Sequence, residues 1–133
     1  MIKNIVCWAD IAVTDLDRAI KFYSIIMGVE VKKQTSEIGD FGIFPHEDCV
    51  VGACLSAESK PSQDGSLIYL DATGFIDEAA ARVESAGGKV LVPKMEIGEY
   101  GSRVIILDTE GNRIAPYAAP ENMKWTSEHT CCS

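Results

Sequence analysis

Nowhere in this sequence do apolar residues run on for the roughly 18 positions needed to cross a bilayer. The first residues, Met1-Ile2-Lys3-Asn4, lead straight into a strand-like segment without the pattern of a signal peptide. Basic residues are scarce as well: 12 Lys and Arg stand against 20 Asp and Glu, for a formal net charge of −8. That balance lacks the basic footprint that phosphate backbones require, which excludes nucleic acid as a partner. It also lacks the basic patches that anionic membranes attract. An acidic surface would suit a cationic ligand instead. The cysteines (Cys7, Cys49, Cys54, Cys131 and Cys132) are odd in number and show no CxxC spacing, so no disulfide framework follows. Cys7 and Cys54 fall in apolar segments, where cysteine acts as a small hydrophobe. A cytoplasmic protein with reduced thiols is the expectation.

What the sequence does contain is a duplication. Thr14-Asp15-Leu16-Asp17-Arg18-Ala19-Ile20 opens a helical pattern that stops at Gly28, and Thr73-Gly74-Phe75-Ile76-Asp77-Glu78-Ala79 opens another that stops at Gly87-Gly88. Asp17 corresponds to Asp77 and Gly28 to Gly88. A period of this size occurring once points to two similar modules around one core rather than a many-unit solenoid. Two facing modules leave a cleft between them, where small molecules bind.

Strand formers fill residues 5–13. Thr14 or Asp15 can cap the helix that follows, and Leu16, Ala19, Ile20, Phe22, Tyr23 and Ile26 form its apolar stripe. Strands are predicted at 29–33, 38–44 and 50–55. A polar linker spans 58–65. The second half repeats the order: strand 66–72, helix 75–86, then strands 89–92, 102–107 and 113–117. Glu110-Gly111-Asn112 supplies the last tight turn and is read as structural. Residues 93–101 carry two glycines and mixed charge, compatible with either a mobile flap over the cleft or a solvated hairpin turn. The fold class is therefore α+β, two tandem βαβββ modules (about 4–57 and 65–118) forming a curled, barrel-like mixed sheet around a cleft. They make one domain, 1–119, followed by a tail, 120–133, that holds Trp125.

These residues resemble the vicinal oxygen chelate superfamily, which includes glyoxalase I, extradiol dioxygenases, fosfomycin-resistance enzymes and bleomycin-binding proteins. The matching text is Trp8-Ala9-Asp10-Ile11-Ala12-Val13-Thr14-Asp15-Leu16-Asp17-Arg18-Ala19, Phe22-Tyr23 and Gly28. In the second half it is Tyr69-Leu70-Asp71, Gly87-Gly88-Lys89-Val90 and Asp108-Thr109-Glu110-Gly111-Asn112-Arg113-Ile114. The likeness is greatest to glyoxalase-like members with a WxDI-type first strand and an EYG…DTEGN ending. It implies a metal held by a His in the first strand of each module and a Glu on a last strand, ligands that suit Zn, Ni, Fe or Mn. In this chain those positions hold Trp8, Leu67 or Ile68, and Ala115, with Gly52 or Cys54 at the remaining first-module position. The expectation is no metal site and no cofactor. A divalent metal would need atypical ligands such as Asp10, His46 or Glu47; the other histidine, His129, lies in the tail.

Alternation along the strands assigns the cleft face. Ile11 and Val13 pack under the first helix, and Ile68 and Leu70 under the second. Trp8, Asp10, Ala12, Gly52, Cys54, Leu67, Tyr69, Asp71, Ala115 and Tyr117 then point the other way. Trp8, Asp10, Cys54, Leu67, Tyr69, Ala115 and Tyr117 are the candidate ligand-binding residues. Trp8 can stack on an aromatic or cationic ligand or simply fill core. Asp10, a carboxylate in an apolar strand, is the candidate catalytic base, with a ligand contact or a structural ion pair as alternatives. Cys54 is a packing residue or a reactive thiol. Three functions fit: a metal-independent small-molecule binding protein; a lyase, isomerase or dioxygenase-type enzyme with atypical residues; and an antibiotic-sequestering protein. The resemblance also implies a homodimer.

Overall fold

A computed structural model describes residues 6–46 and 52–120 of the chain. Expectations that fall on other residues (the start of the first strand at Ile5, Glu47, Cys49, Trp125, His129 and Cys131-Cys132) lie outside the described residues. The first module runs β1 (Trp8–Ala12), α1 (Leu16–Met27), β2 (Lys32–Ser36), β3 (Gly39–Ile43) and β4 (Gly52–Ser56). The second runs β5 (Ile68–Asp71), α2 (Ile76–Arg82), β6 (Lys89–Glu96), a 3-10 turn (Gly98–Tyr100), β7 (Ser102–Leu107) and β8 (Arg113–Ala118). Each module makes its own four-stranded mixed sheet, in the orders β1-β4-β3-β2 and β5-β8-β7-β6. The tandem βαβββ reading holds. The sheets are curled but not joined into a closed barrel: β1 and β5 are the edge strands that face the seam.

Local chemistry accounts for the helices. Asp15 is the N-cap of α1, and its side chain accepts from the Arg18 N–H at 3.1 Å. Gly28 ends the helix with φ 65°, a left-handed turn that costs glycine least. The face of α1 that carries Ala19, Phe22, Tyr23 and Ile26 is buried. It joins Ile11, Val13 and Leu55 below it and Ile76, Ala79, Val83, Val104, Ile106 and Ile114 of the second module in one core. Each fully buried large side chain here contributes roughly 1.5–3 kcal/mol. The helices thus cover one face of both sheets, as alternation predicted for Ile11, Val13, Ile68 and Leu70.

Four boundaries differ from the sequence reading. Cys7 is exposed and precedes β1, so it is not a buried strand residue. The second strand starts at Lys32 rather than residue 29; Val31, just ahead of it, is in the core at 4% exposure and donates its N–H to Ser24 Oγ at 3.2 Å. Helix α2 stops at Arg82, and the backbone completes a turn from there to Gly88 through Gly88 N–H to Val83 O at 2.9 Å. Strand β6 runs four residues past the expected 92 to Glu96, through Pro93. It does so as an outer edge strand with two register shifts, where a residue without N–H is tolerated. The 93–101 segment is therefore mostly strand and hairpin turn, closed by Ile97 N–H to Gly101 O at 2.8 Å.

Candidate functional site

The helix-free face of the first sheet carries Trp8, Asp10 and Cys54 in contact. The register pairs Trp8 with Gly52 and Asp10 with Cys54, which sets Cys54 between the other two. Trp8 Nε1–H donates to Cys54 Sγ at 3.4 Å, and the Cys54 thiol donates to Asp10 Oδ1 at 3.1 Å. Gly52 is required beneath the indole: a Cβ there would stand 2.6 Å from Trp8 Cζ3. His46 meets the indole edge-on, with ring centroids 5.1 Å apart. The sequence reading named His46 only as an atypical metal ligand and did not foresee this contact.

Two of these residues differ in environment. Burial pushes the Cys54 thiol up to about 11, with the Asp10 carboxylate adding to it against the Trp8 hydrogen bond. A thiol so placed stays protonated at neutral pH, so Cys54 is not a reactive thiolate. Asp10 is exposed, not buried, because β1 is an edge strand at the seam. The burial on which a general-base role rested is missing, and no cation lies within ion-pair distance among the described residues.

The helix-free face of the second sheet is built from Tyr69, Ala115 and Tyr117. Tyr69 pairs with Ala115, and Asp71 with Tyr117. The Tyr69 and Tyr117 rings meet edge-on at 6.0 Å. Arg103, across the β7–β8 pair from Tyr117, donates from Nη1 to Tyr69 Oη at 2.5 Å. Tyr117 Oη donates to the Tyr100 carbonyl, which ties the β6–β7 turn to this face. Burial and the Asp71 charge raise the Tyr117 phenol above its ordinary value. Asp71 itself accepts from Thr73 N–H at 3.0 Å and Thr73 Oγ1–H at 2.6 Å, a turn contact before α2. Arg103 was not foreseen, although a lone cation among Val104, Ile105 and Ile106 was a usable signal.

A cavity of about 690 Å³ lies along the seam of the two modules. Ala9 and Ala53 line it from the first sheet, Ile68 and Leu70 from the second, and Phe75 and Arg82 from around α2. Of the predicted ligand-binding residues only Tyr69 lines it. Trp8, Asp10, Cys54, Leu67, Ala115 and Tyr117 do not, whereas Gly52 and Asp71, assigned to the same face, do.

Residues 5–115 match the family described as the Glyoxalase/Bleomycin resistance protein/Dioxygenase superfamily. The chain belongs to that superfamily. Among solved structures, a glyoxalase/bleomycin resistance protein from Albidiferax ferrireducens T118 matches at TM-score 0.72 and 16% identity, over 88% of this chain and 100% of that one. A glyoxalase/bleomycin resistance protein/dioxygenase family enzyme from Burkholderia phytofirmans PsJN matches at TM-score 0.66 and 16% identity, over 86% and 98%. TnmS3, an antibiotic binding protein from Streptomyces sp. CB03234, matches at TM-score 0.63 and 20% identity, over 90% and 99%. These likenesses show the fold alone. No curated protein matches the sequence.

The glyoxalase-like fold permits a position-by-position test of the metal site. Val13 N–H donates to Ser56 O, and Ala72 N–H donates to Tyr117 O, at the same point of each module. Counting back along the paired strands, Trp8 corresponds to Leu67, Asp10 to Tyr69, and Cys54 to Ala115. Of the open alternatives, Leu67 and Cys54 are the ones that correspond to Trp8 and Ala115. The four positions that the resemblance implies then hold an indole, two aliphatic side chains and a protonated thiol, a donor set that does not fit a divalent metal. Among the described residues no three His, Cys, Asp or Glu side chains gather to hold one elsewhere.

Proposed function

We propose that this chain is a metal-independent small-molecule binding protein that takes a modest apolar or aromatic ligand against the helix-free faces of its sheets. The observation that carries this reading is the substitution of the metal positions by Trp8, Leu67, Cys54 and Ala115, with the Trp8 indole 38% exposed and held by Cys54. Trp8 and Tyr69 are large side chains exposed on these faces and available to pack against a ligand. Asp10 and Tyr117 add polar groups at the rim, and Leu67, Cys54 and Ala115 the floor. Residues 1–119 act as one domain, with 120–133 as a tail. A homodimer in the cytoplasm is the assembly and location that go with this reading. No helix among the described residues is long and apolar enough to cross a membrane.

Sequestration of an antibiotic is the second reading, favoured by the likeness to the antibiotic binding protein TnmS3. Both readings are tested by a thermal-shift screen of metabolites and antibiotics on the chain and on Trp8→Ala. At least one compound should stabilise the chain and lose its effect in the variant, whose circular dichroism stays unchanged. Absence of any stabilising compound, or equal stabilisation of the variant, contradicts the proposal. Unaltered drug sensitivity of a susceptible host expressing the chain contradicts the antibiotic reading alone.

A further inference from the structure

We infer that the second-module face selects an anionic ligand, specifically a planar apolar molecule bearing one carboxylate, and that Arg103 is the residue that selects it. The inference rests on the ligand-binding reading above and specifies its ligand class. In a chain of net charge −8, the Arg103 guanidinium has no carboxylate within ion-pair distance among the described residues. Its Nη1 is committed to Tyr69 Oη. Its Nε–H is sealed from water with no acceptor, the single side-chain polar atom among the described residues left in that state. A desolvated donor without a partner is expensive, and a charged one more so.

Placement makes this group specific. The Tyr69 hydroxyl holds the guanidinium with Cζ 6.0 Å from the Tyr69 ring centroid, and Tyr117 lies directly across the strand pair. The edge formed by Nε and Nη2 is left over, and its two parallel N–H groups match the two oxygens of a carboxylate. Met95, opposite Arg103 on β6 and 48% exposed, is an unbranched side chain that can yield to admit it. Tyr69 and Tyr117 supply the walls against which a flat ring packs. Asp71, the carboxylate on this face, is engaged by Thr73 N–H and Oγ1–H and forms no ion pair with Arg103, which leaves the guanidinium free for a ligand.

The test uses three probes of one shape: 2-naphthoate, neutral 2-naphthamide and cationic 2-naphthylmethylammonium. Each is titrated calorimetrically into the full chain, Arg103→Gln, Arg103→Lys and Tyr69→Phe. Naphthoate should bind roughly tenfold or more tighter than naphthamide, the range expected of one charge-assisted fork. Arg103→Gln should abolish that preference while leaving naphthamide binding in place. Arg103→Lys should keep part of it, and Tyr69→Phe should weaken it with the ring wall intact. Equal binding of all three probes, or an unchanged preference in Arg103→Gln, overturns the inference and leaves the ligand-binding reading standing. Failure of every probe to bind overturns the inference, and the compound screen then decides the broader reading by itself.

Discussion

Glu110 Oε1 accepts hydrogen bonds from the backbone N–H groups of Thr14 and Asp15, each at 2.8 Å. The last turn of the second module thereby holds the backbone that leads into the first helix of the first. Arg18 returns from that helix to grip the same carboxylate, with Nε at 2.7 Å from Oε2 and Nη2 at 3.1 Å from Oε1. One turn away, Asp108 accepts from Tyr23 Oη–H at 2.5 Å and from Asn112 Nδ2–H at 3.0 Å, and Asn112 Nδ2–H also reaches Ala12 O at 2.6 Å. The DTEGN motif is thus the clasp between modules that sets the seam.

Replacing Glu110 with alanine should lower stability by about 1–3 kcal/mol, since two backbone amides just ahead of α1 and the Arg18 guanidinium lose their acceptor. Urea unfolding followed by circular dichroism measures it. A change no larger than that of an exposed control carboxylate, such as Asp64→Ala, contradicts the clasp.

Acid should loosen the same clasp. Burial alone would raise the Glu110 carboxyl, but the Arg18 fork and the Asp15, Thr109 and Thr14 donors outweigh it and hold it at about 2, against an ordinary 4.5. A folded value below the unfolded one contributes stability above pH 4.5 that is lost as pH falls toward 2. Unfolding free energies measured through that window should fall less steeply in Glu110→Gln than in the parent chain.

Tyr23 should resist ionisation while the protein is folded. Its burial, then the Asp108 charge and hydrogen bond, raise the phenol well above 10. A raised folded value adds stability that is present below the unfolded value and lost as pH rises toward the folded one. In an ultraviolet titration, one tyrosine should ionise only with unfolding, and Tyr23→Phe should remove that late step. The variant should also cost about 1–3 kcal/mol, because Asp108 stays buried with one donor fewer.

Thiol chemistry separates the two described cysteines. Cys7 is exposed, whereas Cys54 is 3% exposed and its thiol sits at about 11. Iodoacetamide at pH 8, read by peptide mass spectrometry, should label Cys7 quickly and Cys54 only in denaturant. Fast labelling of Cys54 in the native chain contradicts the Trp8–Cys54–Asp10 arrangement.

Gly52→Ala should displace the indole, because the new methyl would lie 2.6 Å from Trp8 Cζ3. The expected cost is about 1–3 kcal/mol with altered near-ultraviolet dichroism. An unchanged spectrum contradicts the packing of Trp8 over β4.

Much of this was legible in the sequence, for local reasons. Asp15 and Gly28 mark helix ends by chemistry that acts within a few residues, and alternation alone brought Trp8 to Cys54 and Tyr69 to Tyr117. What escaped depended on position within the sheets. Asp10 read as buried because a sequence does not show that β1 is an edge. The strand at 89–92 read as ending before Pro93 because the outer-edge status of β6, which tolerates a proline, is equally invisible. Arg103 acquires its meaning from Tyr69, 34 positions away and two strands over. The seam cavity escaped as well, since alternation assigns faces but not the gap between modules.

Ligand binding without a metal is the central claim, and one paired measurement tests it most directly. Chain purified without chelator is assayed for metal by elemental analysis, and 2-naphthoate is titrated into the same sample before and after dialysis against EDTA. The account predicts far less than one divalent metal per chain and the same affinity in both titrations. A stoichiometric metal whose removal abolishes binding would contradict it.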